Sequence, residues 1–164
     1  MSTFKPTVFV GSSSEALPVA RQFCLALGDV AYTICWTDAP EFEAMRSTLD
    51  GLLMVAERYD FGLFIMTPDD ELVSRGVRGK SARDNVILEL GMFLGKLGPE
   101  RAFAVVEEGK KPEDKIKAIS DLFGISIPRF ARIPEAALPA AGAFVSRVAA
   151  VRFPLPDETG TRRS

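Results

Sequence analysis

The 164-residue chain contains no histidine. This absence excludes catalysis by Ser-His-Asp or Cys-His groups and the zinc sites that depend on imidazole ligands. Any enzymatic chemistry must therefore use carboxylates, hydroxyls, arginine, lysine or backbone amides. We predict no metal site.

A net positive charge and long apolar runs are also lacking, and cysteine is scarce. The net charge is -2, so the basic surface that attracts nucleic acid is absent. No run approaches the roughly 20 apolar residues that span a membrane, and residues 1–15 do not resemble a signal peptide. We therefore expect a cytoplasmic protein with neither nucleic acid nor membrane as partner. We predict that the two cysteines, Cys24 and Cys35, are reduced and buried.

The abundant feature is alternation between short apolar runs and segments with helical periodicity. The predicted strands are Thr7–Val10, Ala31–Trp36, Phe61–Met66, Arg101–Val106 and Ile125–Phe130. The predicted helices are Ala16–Leu27, Ser47–Tyr59, Ser81–Gly98, Lys115–Leu122 and Pro134–Val151, with a polar loop over residues 67–80. This order predicts an α/β domain over residues 1–152, with a five-stranded parallel sheet and helices on both faces. Residues 153–164, rich in proline and polar residues, are predicted to be a flexible tail or linker.

One carboxylate, Glu89, lies inside the most apolar of the predicted helices, with Leu88 and Leu90 beside it. Burying an unpaired carboxylate costs several kcal/mol or raises its pKa. Two interpretations remain open from the residues alone: Glu89 forms a structural ion pair with a basic residue, or it lines a cleft where a negative charge is used.

Ligands of open parallel sheets bind beyond the carboxyl ends of the strands. The loop after the first predicted strand contains Gly11, Ser12 and Ser13, which could bind an anion or a ribose phosphate at a helix N-terminus. A tight turn with a helix cap explains the same residues. Neither the P-loop pattern nor G-x-G-x-x-G is present, so ordinary dinucleotide-dependent oxidoreductase chemistry is not supported.

Other candidate site residues follow the second and third predicted strands. Trp36 and Phe42 could stack on a base or a nicotinamide ring, although core packing also explains Trp36. The pairs Asp69-Asp70 and Arg83-Asp84 could orient ribose hydroxyls or a diphosphate. Surface charge or helix capping explains these pairs equally well.

Four segments, VFVGSSSEALPVA, WTDAPEF, FGLFIMTPDDELVSRG and ARDNVILELGMFLGKLG, resemble bacterial TIR-like nucleotide-binding domains. These domains occur in TIR–STING and related cyclic-nucleotide-activated anti-phage effectors. The resemblance implies a flavodoxin-like TIR fold and an NAD+ glycohydrolase, with NAD+ as substrate and no cofactor. It implies that Glu89 is catalytic. The substrate-binding residues that it implies are Gly11, Ser12, Ser13, Trp36, Phe42, Arg83 and Asp84.

The resemblance also implies self-association with other TIR domains. It further implies activation by a cyclic-nucleotide sensor of the STING or SAVED type, fused or acting in trans. Three alternatives remain: a non-enzymatic TIR–TIR adaptor, an N-glycosidase acting on another nucleoside or nucleotide, and a flavodoxin-like domain that binds FMN. The carboxylate of Glu89 argues against the adaptor, which has no need of a charge in an apolar helix.

Overall fold

A computed structural model describes residues 5–39, 49–74, 77–108, 116, 129–131, 142, 144 and 146. For residues 71–74, 77–81 and 129 the description covers the backbone alone. The strands are β1 (Thr7–Ser12), β2 (Tyr32–Cys35), β3 (Phe61–Met66), β4 (Asp70–Ser74), β5 (Val77–Ser81), β6 (Ala102–Glu107) and β7 (Arg129–Phe130). The helices are α1 (Leu17–Leu27), α2 (Leu49–Glu57) and α3 (Asp84–Leu97), with a short 3-10 turn over Trp36–Asp38.

The main sheet has the strand order β2-β1-β3-β6-β7, and all of its pairings are parallel. The predicted α/β class with a parallel sheet is therefore confirmed. Four of its strands are four to six residues long, whereas β7 is the pair Arg129–Phe130. The predicted fifth strand began at Ile125, and residues 125–128 lie outside the described part of the chain. From β1 the chain adds β2 on one side, and it adds β3, β6 and β7 on the other side. The strand order therefore switches between β1 and β3, and ligands of doubly wound sheets bind at this switch point.

The prediction of a polar loop over residues 67–80 is wrong from Asp70 onward. Strands β4 and β5 form an antiparallel hairpin that stands apart from the main sheet. Only Arg75 and Gly76 separate the two strands, a dipeptide outside the Asn-Gly and Asp-Gly set that signals such turns. The pairing satisfies backbone groups that a loop would leave to water.

Side chains of the central strands alternate between two cores, because neighbouring residues of a strand point to opposite faces. One core contains Val8 and Val10 of β1 and, from α1, Ala20, Phe23 and Leu27. The other contains Phe9 of β1 and, from α2 and α3, Leu52, Val55, Ala56, Val86, Leu90 and Phe93. Helices therefore cover both faces of the sheet, as predicted.

Helix α3 is fixed on the sheet by Phe93, whose ring centroid lies 5.1 Å from those of Phe9 and Phe64. A Cβ atom on Gly62 would lie 2.5 Å from the Phe93 ring, so glycine is required for this close approach. The helix ends at Gly98, whose φ of 81° is strained for other residues, and whose N–H donates to the Leu94 carbonyl. The end predicted there is confirmed.

The predicted helices over residues 115–122 and 134–151 fall largely outside the described residues. Phe144 is helical and buried, and its ring contacts Phe61 and Phe103 at centroid distances of 5.9 and 5.2 Å. None of the helices in the described ranges is long and apolar enough to cross a bilayer. The tail predicted over residues 153–164, and hence its boundary, lies outside the described residues and stays a prediction.

Candidate functional site

The serines at the carboxyl end of β1 are buried, and their hydroxyls bond to the protein. Ser12 Oγ donates to the Ser13 carbonyl at 2.9 Å and accepts from Trp36 Nε1–H at 3.1 Å. Ser13 Oγ accepts the Ala16 N–H at 3.2 Å, at the entrance to α1. The hydroxyls therefore build the turn before α1, which was part of one of the two interpretations of this motif. The helix cap in that interpretation is wrong, because the N-cap residue of α1 is Ala16 and no side chain makes a capping hydrogen bond there. An anion at this turn would be bound by backbone N–H groups rather than by these two side chains.

A carboxylate connects the carboxyl ends of β1 and β3. Asp69 Oδ2 accepts from Ser13 Oγ at 2.5 Å and also from Thr67 Oγ1. The two hydroxyl oxygens are 3.4 Å apart, and both residues are buried. Sequence analysis missed Thr67, although a threonine directly after a buried strand and two residues before an acid is a recognisable signal. This cluster fixes the edge of the sheet at the point where its direction reverses.

Gly11 has a packing reason of its own. A Cβ atom at this position would lie 2.7 Å from two carbons of the Phe64 ring and 3.3 Å from Phe9. The glycine therefore lets Phe64 pack against β1. A close approach of a ligand to the Gly11 backbone stays a prediction.

Trp36 begins the 3-10 turn that follows β2. It is partly buried and touches both cores of the domain while donating to Ser12. The structure thus brings two predicted site residues, Trp36 and Ser12, into direct contact. Stacking of the indole on a ligand stays a prediction, and Phe42 lies outside the described residues.

The Arg83 side chain joins three segments at this edge. Arg83 occupies the N-cap position of α3, and its Nη2 lies 2.8 Å from Glu15 Oε1 in the turn before α1. Its Nε lies 3.3 Å from Asp70 Oδ1 at the start of β4, as an ion pair rather than a well-directed hydrogen bond. Glu15 and then Asp70 raise the pKa of Arg83. A backbone hydrogen bond and then Arg83 hold the pKa of Glu15 below its usual value.

These ion pairs bear on the predicted role of Arg83. A diphosphate would have to replace Glu15 or Asp70 as the partner of the guanidinium, because both carboxylates now contact it. Asp84 is exposed, and its Oδ1 accepts the N–H of Asn85 at 3.1 Å. It therefore contacts the backbone within the first turn of α3, where a negative charge interacts favourably with the helix dipole.

Glu89 is the sixth residue of α3, about 7.5 Å along the axis from Asp84. Its side chain is partly buried and flanks the stripe of Val86, Leu90 and Phe93 that packs on the sheet. Its neighbour Leu88 is 48% exposed. The apolar residues around Glu89 in the sequence are therefore not all buried in the fold. Glu89 therefore lies at the margin of the core rather than deep in the interior.

The edge of the sheet thus carries an indole, a guanidinium and paired hydroxyls, with a carboxylate further along α3. Of these groups, the guanidinium can bind an anionic ligand in exchange for one of its carboxylate partners, and the carboxylate can stabilise positive charge. Across the described ranges, no three cysteine or acidic residues are arranged to hold a metal ion.

Comparison with known proteins gives consistent matches. Residues 7–132 match the family model of the CAP12/Pycsar effector protein TIR domain. The chain is 41% identical over 126 residues to CD-NTase-associated protein 12 of Flavobacterium daejeonense, a match that covers 77% of this chain and 38% of that protein. It is 37% identical over 120 residues to Pycsar effector protein PaPycTIR of Pseudomonas aeruginosa, with 73% of this chain and 37% of that protein covered.

A third relative is Pycsar effector protein XpPycTIR of Xanthomonas perforans, 37% identical over 124 residues, with 73% of this chain and 38% of that protein covered. The matched region is therefore a little under two fifths of the length of these relatives.

Proposed function

Since the chain belongs to the family of CAP12/Pycsar effector TIR domains, we propose that it is an NAD+ glycohydrolase that cleaves the nicotinamide–ribose bond. The observation that carries the proposal is the position of Glu89. The residue is only partly buried, on a helix whose first residues are joined by Arg83 to the turn after β1. A carboxylate at the margin of the core carries a smaller desolvation cost than one enclosed in the core.

The reaction suits a site without histidine. Cleavage of the bond builds positive charge on the ribose, as in glycoside hydrolysis. Nicotinamide leaves as a neutral molecule from a cationic ring, so no general acid is required. One carboxylate, Glu89, would stabilise the ribosyl cation and orient the ribose hydroxyls until water completes the hydrolysis.

The remaining candidates would bind the rest of NAD+. The backbone amides of Gly11, Ser12 and Ser13 would hold phosphate oxygens at the entrance to α1. Trp36 and Phe42 would flank the nicotinamide. Arg83 would exchange a carboxylate partner for the diphosphate, and Asp84 would contact a ribose hydroxyl. The reaction needs no metal and no cofactor beyond its substrate.

We further propose that this activity serves anti-phage defence in the cytoplasm. Two relatives bear the names CD-NTase-associated protein and Pycsar effector protein, which link them to cyclic-nucleotide signalling. Activation would come from self-association through a sensor domain of the STING or SAVED type, fused or in trans.

In the same proposal, Arg129–Phe130 is the end of a full fifth strand of a flavodoxin-like TIR fold.

The test compares Glu89→Gln with a matched control, Glu100→Gln, which alters an exposed carboxylate after the end of α3. Nicotinamide release from NAD+ is measured with the chain dilute and with the chain clustered on a multivalent tether. We expect clustering to raise the activity of the unmodified chain, and Glu89→Gln to lower it by about 10³-fold with the fold retained. Glu100→Gln should behave as the unmodified chain.

Undiminished release by Glu89→Gln would remove that residue from the proposed role. An unmodified chain that releases no nicotinamide in either state would refute the glycohydrolase and favour the adaptor. Cleavage of other nucleosides in the same assay, with NAD+ intact, would favour the N-glycosidase.

A further inference from the structure

The hydroxyl of Ser12 is the middle member of a buried chain of hydrogen bonds. The indole N–H of Trp36 donates to Ser12 Oγ at 3.1 Å, and Ser12 Oγ donates in turn to the Ser13 carbonyl at 2.9 Å. Ser12 is only 7% exposed, so water competes little for these contacts. A serine hydroxyl has one proton, and here the Ser13 carbonyl accepts it. The Ser12 side chain therefore has no proton left to donate to a phosphate oxygen.

The same chain of hydrogen bonds constrains the indole of Trp36. This residue is partly buried, packs against both cores, and is held through its ring nitrogen at the carboxyl end of β1. The ion pair that joins its 3-10 turn to α1 is at the surface: Arg21 Nη2 lies 3.3 Å from Asp38 Oδ1, and both side chains are 53% exposed. Exposed ion pairs contribute little to stability. Of these two contacts of the turn, the buried hydrogen bond to Ser12 is therefore the stronger constraint on the indole.

We propose that Ser12 is a positioning residue, whose hydroxyl holds the Trp36 indole in the orientation that receives the nicotinamide ring. This inference rests on the proposed function, in which Trp36 flanks that ring. The nicotinamide ring of NAD+ is cationic, and the face of an indole attracts a cation. The attraction weakens as the ring becomes neutral in the transition state, so it favours binding of NAD+ rather than the chemical step. Loss of the Ser12 hydroxyl should therefore raise KM without lowering kcat.

The experiment measures nicotinamide release by Ser12→Ala and by the unmodified chain, both clustered on a multivalent tether, over a range of NAD+ concentrations. Ser12→Ala keeps the backbone N–H of residue 12 and removes the acceptor of the indole N–H. We expect the KM for NAD+ to rise about three- to tenfold, the factor that one neutral hydrogen bond supplies, with kcat not reduced. ADP-ribose, which has the diphosphate but no nicotinamide ring, should inhibit both chains with the same Ki.

Tryptophan fluorescence tests the orientation of the indole independently of catalysis, because Trp36 is the sole tryptophan of the chain. In Ser12→Ala we expect acrylamide to quench the emission more strongly, since the indole is no longer held at its N–H. Asp38→Asn is the matched control, because it alters an exposed carboxylate in the same 3-10 turn. It should change neither the quenching nor the KM, and thermal unfolding of each variant checks that the fold is retained.

A double-mutant cycle assigns the effect to the pair of residues. Trp36→Phe keeps an aromatic ring but has no N–H, so it removes the same hydrogen bond from the other side and should raise KM by a similar factor. Ser12→Ala should raise KM no further in that background.

Four results would overturn the positioning role while the unmodified chain still releases nicotinamide. These are an unchanged KM in Ser12→Ala, unchanged quenching in Ser12→Ala, an additive rise of KM in the double variant, and a Ki for ADP-ribose that rises with KM. The last result would show that the hydroxyl contacts the diphosphate directly. An unmodified chain that releases no nicotinamide would overturn both this inference and the proposed function.

Discussion

Replacing Asp69 by alanine removes an acceptor that two buried hydroxyls share. Ser13 and Thr67 both donate to Asp69 Oδ2, and they are only 6% and 1% exposed. The variant leaves two donors at the junction of β1 and β3 without that partner. Ser13 also accepts the N–H of Ala16, so the loss should loosen the first turn of α1.

The expected cost follows from these contacts. A hydrogen bond to a charged group contributes about 1.5–3 kcal/mol, so two of them contribute about 3–6 kcal/mol. Asp69 is partly exposed, and water that enters its place should recover part of this energy. We therefore expect Asp69→Ala to lower the free energy of unfolding by about 2–4 kcal/mol. In a domain of this size that loss lowers Tm by about 6–12 °C.

The measurement is thermal and urea unfolding of Asp69→Ala, Asp69→Asn and the control Asp29→Ala. Asp69→Asn keeps an acceptor oxygen but not its charge, so about half of the loss is expected. Asp29 is exposed between α1 and β2, and its replacement should leave Tm unchanged. If Asp69→Ala unfolds at the same midpoint as Asp29→Ala, the cluster does not hold the sheet edge in the way argued above.

Two further predictions concern the site and its support. Glu15→Gln removes the nearest carboxylate partner of Arg83, so the KM for NAD+ should fall while kcat is retained; an unchanged or higher KM would count against a diphosphate role. Gly62→Ala should cost about 1–3 kcal/mol in urea unfolding because its Cβ would meet Phe93 at 2.5 Å. Gly91 lies in α3, and a Cβ atom built there has no neighbouring atom within 4 Å, so Gly91→Ala should raise the free energy of unfolding by about 0.5–1 kcal/mol. A change of the same sign in both variants would refute the packing argument.

The central strands of the main sheet were predictable because burial on both faces produces a continuous apolar run in the sequence. Phe61–Met66 is apolar at every position, and the structure buries all six residues as a central strand. The family resemblance, carried by the turn after β1 and the helix around Glu89, is confirmed by the match over residues 7–132. Local sequence was sufficient here because each segment is specified by its own periodicity.

Pairings across the chain were not predictable in the same way. The hairpin of β4 and β5 has no recognised turn dipeptide, and its alternation is short. The pairing of Arg83 with Glu15 joins residues 68 positions apart. Surface carboxylates are numerous in the sequence, and only the folded geometry selects which of them a guanidinium meets.

The selection of Glu15 and Asp70 has a consequence for how the site could work. Arg83 connects the turn before α1, the start of β4 and the start of the helix that carries Glu89. Any anion that binds the guanidinium must compete with carboxylates from two of these segments, so binding would release them from each other. Exposed ion pairs are individually weak, so a doubly charged ligand could make this exchange. Anion binding and rearrangement of the sheet edge would then be one event, and under the self-association proposed above a neighbouring copy would act by stabilising the rearranged edge.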